Sequence, residues 1–201
     1  MILAVDSSIG TSVALLDEGG SPLAERESLD ARGHAEAIGL LIAGALDDAN
    51  ARADRVTAVA VGMGPGPFTG LRVGIAAARA FAFARGVPLL PVLSHDAIAV
   101  AHGSAAPFVV VTDARRREHY VTHYAGVVDD VPVRTAGPAL ALPDAQIAAE
   151  SLVAADRVRA SALGALAVRL RSRGLPTGPD RPQYLREPDV TISAGPKRVT
   201  P

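Results

Sequence analysis

Val56-Thr57-Ala58-Val59-Ala60-Val61-Gly62-Met63-Gly64-Pro65-Gly66-Pro67-Phe68-Thr69-Gly70 begins as an apolar, β-branched run and ends in glycine and proline. The apolar run predicts a strand buried on both faces. A helix from about Leu71 to Arg85 follows, stopped by Gly86 and Pro88. A glycine-rich loop between a buried strand and a helix can aim backbone N–H groups at an anion. This loop lacks the Gly-Lys-Ser/Thr of a Walker loop, and Pro67 stands where a Rossmann loop needs its third glycine. Pro65 and Pro67 also remove two N–H donors. Two readings stay open: a vestigial nucleotide loop with Gly64, Gly66 and Thr69, or a rigid turn fixing the helix start with Thr69 as N-cap.

Upstream, Ile2 to Val5, Ser12 to Leu16 and Leu23 to Ser28 read as a strand meander with turn residues between. A helix from about His34 to Asn50 separates it from the buried strand. Downstream come a strand, Leu89 to Val92, and a short helix, Asp96 to Ala101. The texture changes at His102-Gly103-Ser104, where a boundary is expected. Beyond it, Phe108 to Thr112 and Glu118 to Tyr124 read as strands, with shorter ones near Val127 and Val131. Helices are expected at Asp144 to Leu152 and Ala162 to Arg173. The order strand-strand-strand-helix-strand-helix opens an actin-like (ribonuclease H-like) α/β domain. The expectation is therefore an α/β protein of two lobes, 1–103 and a reduced 104–187, with a flexible Pro/Gly/Ser/Thr-rich tail at 188–201.

Of the 201 residues, 49% are hydrophobic, 20% charged and only 3% aromatic, so a core can form, built from many small contacts. A formal net charge of -1 argues against a protein that coats nucleic acid by itself. There is no cysteine, which excludes disulfides and thiolate metal sites. No charge-free run of about twenty apolar residues and no basic leader is present, so no membrane association and a cytoplasmic location are expected.

The two helices flanking the buried strand are apolar nearly all round. On the first, Ile38, Leu41, Ile42, Ala45, Leu46 and Ala49 form one stripe, yet Ala37, Leu40, Ala43 and Gly44 on the other side are not polar. The second carries only Arg72, Arg79 and Arg85 as charges. A helix apolar on both sides is expected to be buried on both sides, and little chain remains to cover these two. A protein interface is therefore expected at Ala37, Leu40, Ala43, Gly44, Arg72, Ile75, Ala76, Arg79 and Phe83.

Gly64-Pro65-Gly66-Pro67-Phe68-Thr69-Gly70-Leu71-Arg72-Val73-Gly74, followed by an alanine-rich helix, resembles the signature of the TsaB (YeaZ-like) family. More loosely it is similar to TsaD, the catalytic paralogue of that family. Met1 to Ser8 with Ser12 to Leu15, Asp113-Ala114-Arg115-Arg116-x-Glu118-x-Tyr120 and Pro182-x-Tyr184-Leu185-Arg186 resemble further family segments, in order along the chain. Pro67 departs from the serine usual in the family, and the short C-terminus leaves open whether a terminal helix packs on the first lobe. The resemblance implies a non-catalytic subunit that binds and activates TsaD in making N6-threonylcarbamoyladenosine at position 37 of tRNAs reading ANN codons. It implies a heterodimer with TsaD through the first two helices, TsaE in the larger complex, a homodimer when TsaD is absent, and only indirect contact with tRNA. ATP and metal are then expected on the partner subunits and no intrinsic cofactor here. The rivals are an actin-like ATPase or kinase, or a metallopeptidase, acting alone.

By resemblance, the positions of TsaD's metal-binding histidine pair fall here on Ser94 and Ile98, neither of which replaces imidazole. His95 is displaced by one position, about 100° around a helix, and with Asp96 reads as a surface or capping pair. His119 and His123 share one face of a strand and read as structural. Asp6 sits where actin-like ATPases hold a metal-nucleotide, but no lysine lies near; a degenerate site or an Asx-type turn are its two readings. There is no catalytic serine elbow and no cysteine nucleophile, so no catalytic residue is assigned. Arg115-Arg116-Arg117 reads as a solvated hairpin tip, with contact to tRNA phosphate as its other reading.

Overall fold

The computed structural model describes residues 1–29, 34–142 and 151–186, the side chains of 34 and 35 excepted. The predicted helix at 144–152 falls largely outside them, as does the predicted tail at 188–201. The first sheet is formed by β1 (Ile2–Asp6), β2 (Thr11–Leu16), β3 (Pro22–Ser28), β4 (Ala58–Gly62) and β5 (Leu89–Val92), in the order β3-β2-β1-β4-β5. β2 runs antiparallel to β1 and β3, while β1, β4 and β5 are parallel. This is the ribonuclease H-like arrangement of an actin-like lobe. The second sheet comprises β6 (Phe108–Asp113), β7 (His119–Val128), β8 (Val131–Ala141) and β9 (Leu152–Ala154), in the order β8-β7-β6-β9. Its antiparallel meander and parallel fourth strand repeat the first four positions of the first sheet. Among the described residues the fifth strand has no counterpart, so the second lobe is the reduced one.

Strand periodicity sorts the core. Leu3, Val5, Val13, Leu15, Val59 and Val61 point to one face of the first sheet, where α1 (His34–Asp48) and α2 (Phe68–Arg85) cover them. Ala4, Ala14, Ala58 and Ala60 point to the other, with Ile2 and Leu16. Alanines leave room there for close approach. In α4 (Ala160–Ser172), a Cβ at Gly164 would strike Leu16 Cδ1 and stand 3.0 Å from Ala4 Cβ. α4 and α3 (Ser94–His102) share this core with Phe108, Val110 and Tyr124 of the second sheet. The layers are therefore α1/α2, first sheet, α3/α4, second sheet.

Three sequence expectations change. α4 does not belong to the second lobe alone: it packs on β1 and β2 as well as on α3, so the first sheet has its covering helix. The short strands expected near Val127 and Val131 are parts of one long β7–β8 hairpin, turning on Asp129 and Asp130. Leu152, expected to end a helix, begins β9.

Both hairpin turns of the second sheet use left-handed backbone, at Arg115, Arg116 and Arg117 (φ 64, 54 and 64) and at Asp129 and Asp130 (φ 50 and 58). This conformation costs an ordinary L-residue roughly 1 kcal/mol, less for Asp.

Candidate functional site: a closed loop and an open helical face

Asp6 ends β1 beneath the glycine-rich loop, fully enclosed. Its Oδ1 accepts the Ser8 N–H at 2.8 Å and the Ser8 hydroxyl at 2.6 Å. Its Oδ2 accepts the Ser94 hydroxyl at 2.5 Å. Burial pushes its pKa up, against the lowering effect of these hydrogen bonds. The Ser8 bonds form the Asx-type turn that is one of the two readings of Asp6, and with the Ser94 bond they engage both carboxylate oxygens. The loop is closed in the same way. Met63 N–H donates to Val92 O at 2.8 Å and Gly64 N–H to Ser94 Oγ at 3.0 Å. Gly66 lies so close to Ser8 that a Cβ would stand 2.8 Å from its carbonyl oxygen. Pro65 and Pro67 have no N–H to offer. Thr69 is not the N-cap; α2 starts one residue earlier, with Pro67 in the cap position and no side-chain cap bond. Ser7 ties the helix down instead, its hydroxyl donating to Gly70 O at 2.7 Å and accepting Gly74 N–H at 3.0 Å.

His95 and Asp96 are not a surface pair. His95 is wholly inside, Nδ1 at 2.8 Å from Thr122 Oγ1 and Nε2 at 2.9 Å from Thr112 Oγ1, so the neutral ring bridges α3 to β6 and β7. Asp96 accepts Tyr124 OH at 2.7 Å and Arg134 Nη2 at 3.0 Å. Among the described residues no group of three or more metal-ligating His, Asp or Glu forms. His119 and His123 lie half-buried on β7.

Burial lowers the His95 pKa from 6.5 to about 3. Between those values the unfolded chain takes up a proton that the folded chain refuses. The stability contributed by neutral His95 is thus complete above about pH 6.5 and is lost as pH falls toward 3. Asp6 and Asp96, raised by burial, act with the opposite sign. Replacement of His95 by Gln, which keeps a donor and an acceptor, isolates the histidine. The melting temperature of wild type relative to His95→Gln should drop by several degrees between pH 7 and pH 5, on the order of 2 kcal/mol. A pH-independent difference would show that His95 takes up its proton equally in the folded and unfolded chains.

The outer face of α1 and α2 is open. Phe83 is 91% and Leu40 74% exposed, and Gly39, Ala43, Ala76, Ala80 and Ala84 share that exposure. Ala37 is half-buried. Two predicted interface residues belong elsewhere. Ile75 is only 5% exposed and packs in the core under α2. Gly44 is covered by the Arg26 guanidinium, which pairs with Asp48 at 2.6 and 2.8 Å. Arg72 and Arg79 do lie on the outer side, held by a segment following α4. The Arg72 guanidinium sits 3.9 Å over the Phe68 ring and its Nε donates to Tyr184 OH at 3.3 Å. Tyr184 packs on Phe68 at 4.7 Å, and Arg79 pairs with Asp180 at 2.7 Å. That strap, residues 178–186, was not legible as part of the site; only the Pro182-x-Tyr184-Leu185-Arg186 motif pointed to it.

The family model described as TsaD, tRNA N6-adenosine threonylcarbamoyltransferase, matches residues 28–154. A solved structure from Pseudomonas aeruginosa, described as an uncharacterized protein with similarity to peptidase YEAZ, superposes with a TM-score of 0.78. It is 28% identical and covers 92% of this chain and 99% of its own. The chain belongs to the TsaD/YeaZ family, on its TsaB-like side. An uncharacterized protein of Mycobacterium tuberculosis is 40% identical over 180 residues, 84% of this chain and 82% of that protein. A tRNA N6-adenosine threonylcarbamoyltransferase of Streptococcus thermophilus is 46% identical over 61 residues, 30% of this chain but 18% of the enzyme. No helix among the described residues is long and apolar enough to cross a membrane.

Proposed function

We propose that this chain is a docking subunit without chemistry of its own, which binds and activates a TsaD-type transferase in forming N6-threonylcarbamoyladenosine at position 37 of tRNAs reading ANN codons. The open apolar face of α1 and α2, led by Phe83 and Leu40, carries this reading. A folded chain leaves such contiguous apolar surface uncovered where another molecule covers it. The partner is then a paralogue with the same two helices, and TsaE joins the larger complex. Without the partner, the same face pairs two copies of this chain as an isologous homodimer. ATP, metal and the main grip on tRNA belong to the partner subunits. The consumed oxygens of Asp6 and the closed loop support a subunit that does not turn over nucleotide.

Purified chain and the TsaD-type transferase of the same host should elute as one complex, and threonylcarbamoylation of tRNA should require both. Independent elution, with full activity of the transferase alone, defeats the proposal. Titration of the isolated chain with ATP and magnesium should show no tight binding. Tight binding with turnover would instead favour an actin-like ATPase or kinase.

A further inference from the structure

The outer side of α2 is one stripe. Arg72, Ala76, Arg79, Ala80 and Phe83 recur every three or four residues, and all are exposed. Arg72 stands at the loop end of that stripe and Phe83 at the other, about 16 Å apart along the axis. The two arginines are held differently. Arg79 pairs with Asp180 at 2.7 Å, so its charge is matched within the chain. The partners of Arg72 among the described residues are aromatic, and none is an acid. Its guanidinium lies 3.9 Å over the Phe68 ring and 6.0 Å from the Tyr184 ring, and its Nε donates to Tyr184 OH at 3.3 Å. Aromatic faces fix the plane of a guanidinium without neutralising it. Both Nη groups stay without an acceptor among the described residues. An exposed arginine ordinarily samples many rotamers; this one offers two parallel N–H donors from a held plane.

The plane is held because Tyr184 is held. Just before it, Gln183 N–H donates to Met63 O at 2.8 Å in the glycine-rich loop. Just after it, Arg186 Nη1 donates to Ala114 O at 3.1 Å and pairs with Glu118 at 3.5 Å. The strap is thus tied to the first lobe on one side and to the second on the other, and between these ties Tyr184 packs on Phe68 at 4.7 Å.

We propose that Arg72, aimed by Phe68 and Tyr184, closes a forked ion pair on an aspartate or glutamate of the docked transferase, at the loop end of the helical face. The inference rests on the docking reading above, and it adds an acidic group to the apolar surface that the partner must present. A guanidinium end with two free donors matches the two oxygens of a carboxylate, and an arginine already held in place loses less freedom on pairing. A phosphate at this place would draw on N–H groups of the loop as well. Pro65 and Pro67 have none, and those of Met63 and Gly64 already donate inward. Tyr184 is then a positioning residue, acting on the partner through Arg72.

The affinity of the chain for the transferase of the same host, titrated at low and high salt, tests this. Arg72→Gln should weaken binding about tenfold and lower the melting temperature by at most about 4 °C. The deficit should shrink as salt rises, because the pair lies at the edge of the face. Arg72→Lys keeps the charge but not the fork, and should stay nearer to Arg72→Gln than to wild type. Tyr184→Leu should weaken binding about threefold alone and hardly at all in the Arg72→Gln background. Unchanged affinity of Arg72→Gln in a complex that forms would overturn the proposal. A deficit blind to salt would do so too, since it would mean lost packing and not a lost ion pair. So would a deficit confined to samples holding ATP and magnesium, which would assign the fork to a phosphate. Equal losses from Tyr184→Leu in both backgrounds would remove its positioning role and set the ring against the partner directly. If the wild-type chain does not bind the transferase at all, the docking reading has failed and this inference with it.

Discussion

Phe83→Asp should abolish co-elution with a TsaD-type transferase and leave the chain's own melting temperature within about 2 °C. The second half follows from exposure: Phe83 touches little of its own fold. Exposed substitutions away from special features usually fall within about 0.5 kcal/mol, or 1–2 °C in a chain of this length. The first half follows from what an interface core requires. A buried aromatic anchor replaced by a carboxylate loses its pocket and leaves a desolvated charge, a combination that costs at least about 2 kcal/mol and often far more. Leu40→Asp, on the neighbouring helix, should behave alike, and either variant should convert a homodimer to monomers. Ile75→Asp is the contrasting control. Ile75 packs beneath α2 with Leu71 and Ala78, so that substitution should unfold the chain and is uninformative about docking. Undiminished co-elution of folded Phe83→Asp and Leu40→Asp would move the partner to another face.

Gly62→Ala should destabilise the fold by about 3 kcal/mol or more, a fall of roughly 6–12 °C. A Cβ at Gly62 would land on Asp6 Oδ2 and stand 2.8 Å from Ser94 Oγ. Neither neighbour can yield cheaply. Displacing the carboxylate breaks the bonds from Ser8 and Ser94 and strands a buried polar group. The two effects share one atom, so they should not add. In the background of Asp6→Ala the carboxylate oxygen is gone and only the contact with Ser94 Oγ remains, so Gly62→Ala should cost markedly less. Equal costs in both backgrounds, measured by thermal or denaturant unfolding, would mean that the glycine is required for another reason.

The buried strands of the first sheet were readable, because β1, β2 and β4 are apolar runs cut by turn chemistry. The facing of α1 and α2 was not. Alanine and glycine populate both sides of α2, so composition gives no polar stripe to orient it, and Ile75 and Ala76 look equally apolar in sequence. Only the sheet decides that one points inward and the other out. His95 was misplaced for a related reason. A histidine beside an aspartate after a strand resembles a helix start at the surface, and its real partners, Thr112 and Thr122, lie on two strands of the other sheet. The long range of those bonds hides them from any local pattern. The α4 assignment failed on connectivity: a helix late in the chain was expected to serve the lobe it follows, whereas the alanine face of the first sheet is what admits it.

That helix sets the order in which the molecule can be completed during synthesis. Once Val92 has left the ribosome, all five strands of the leading sheet exist, yet only one of its sides has a cover. Its alanine side stays wet for roughly eighty further codons, a matter of about 4–16 seconds at ordinary elongation rates. The nascent chain meets that interval with Ala4, Ala14, Ala58 and Ala60 between the larger Ile2 and Leu16 on the uncovered surface, and small side chains are poor glue.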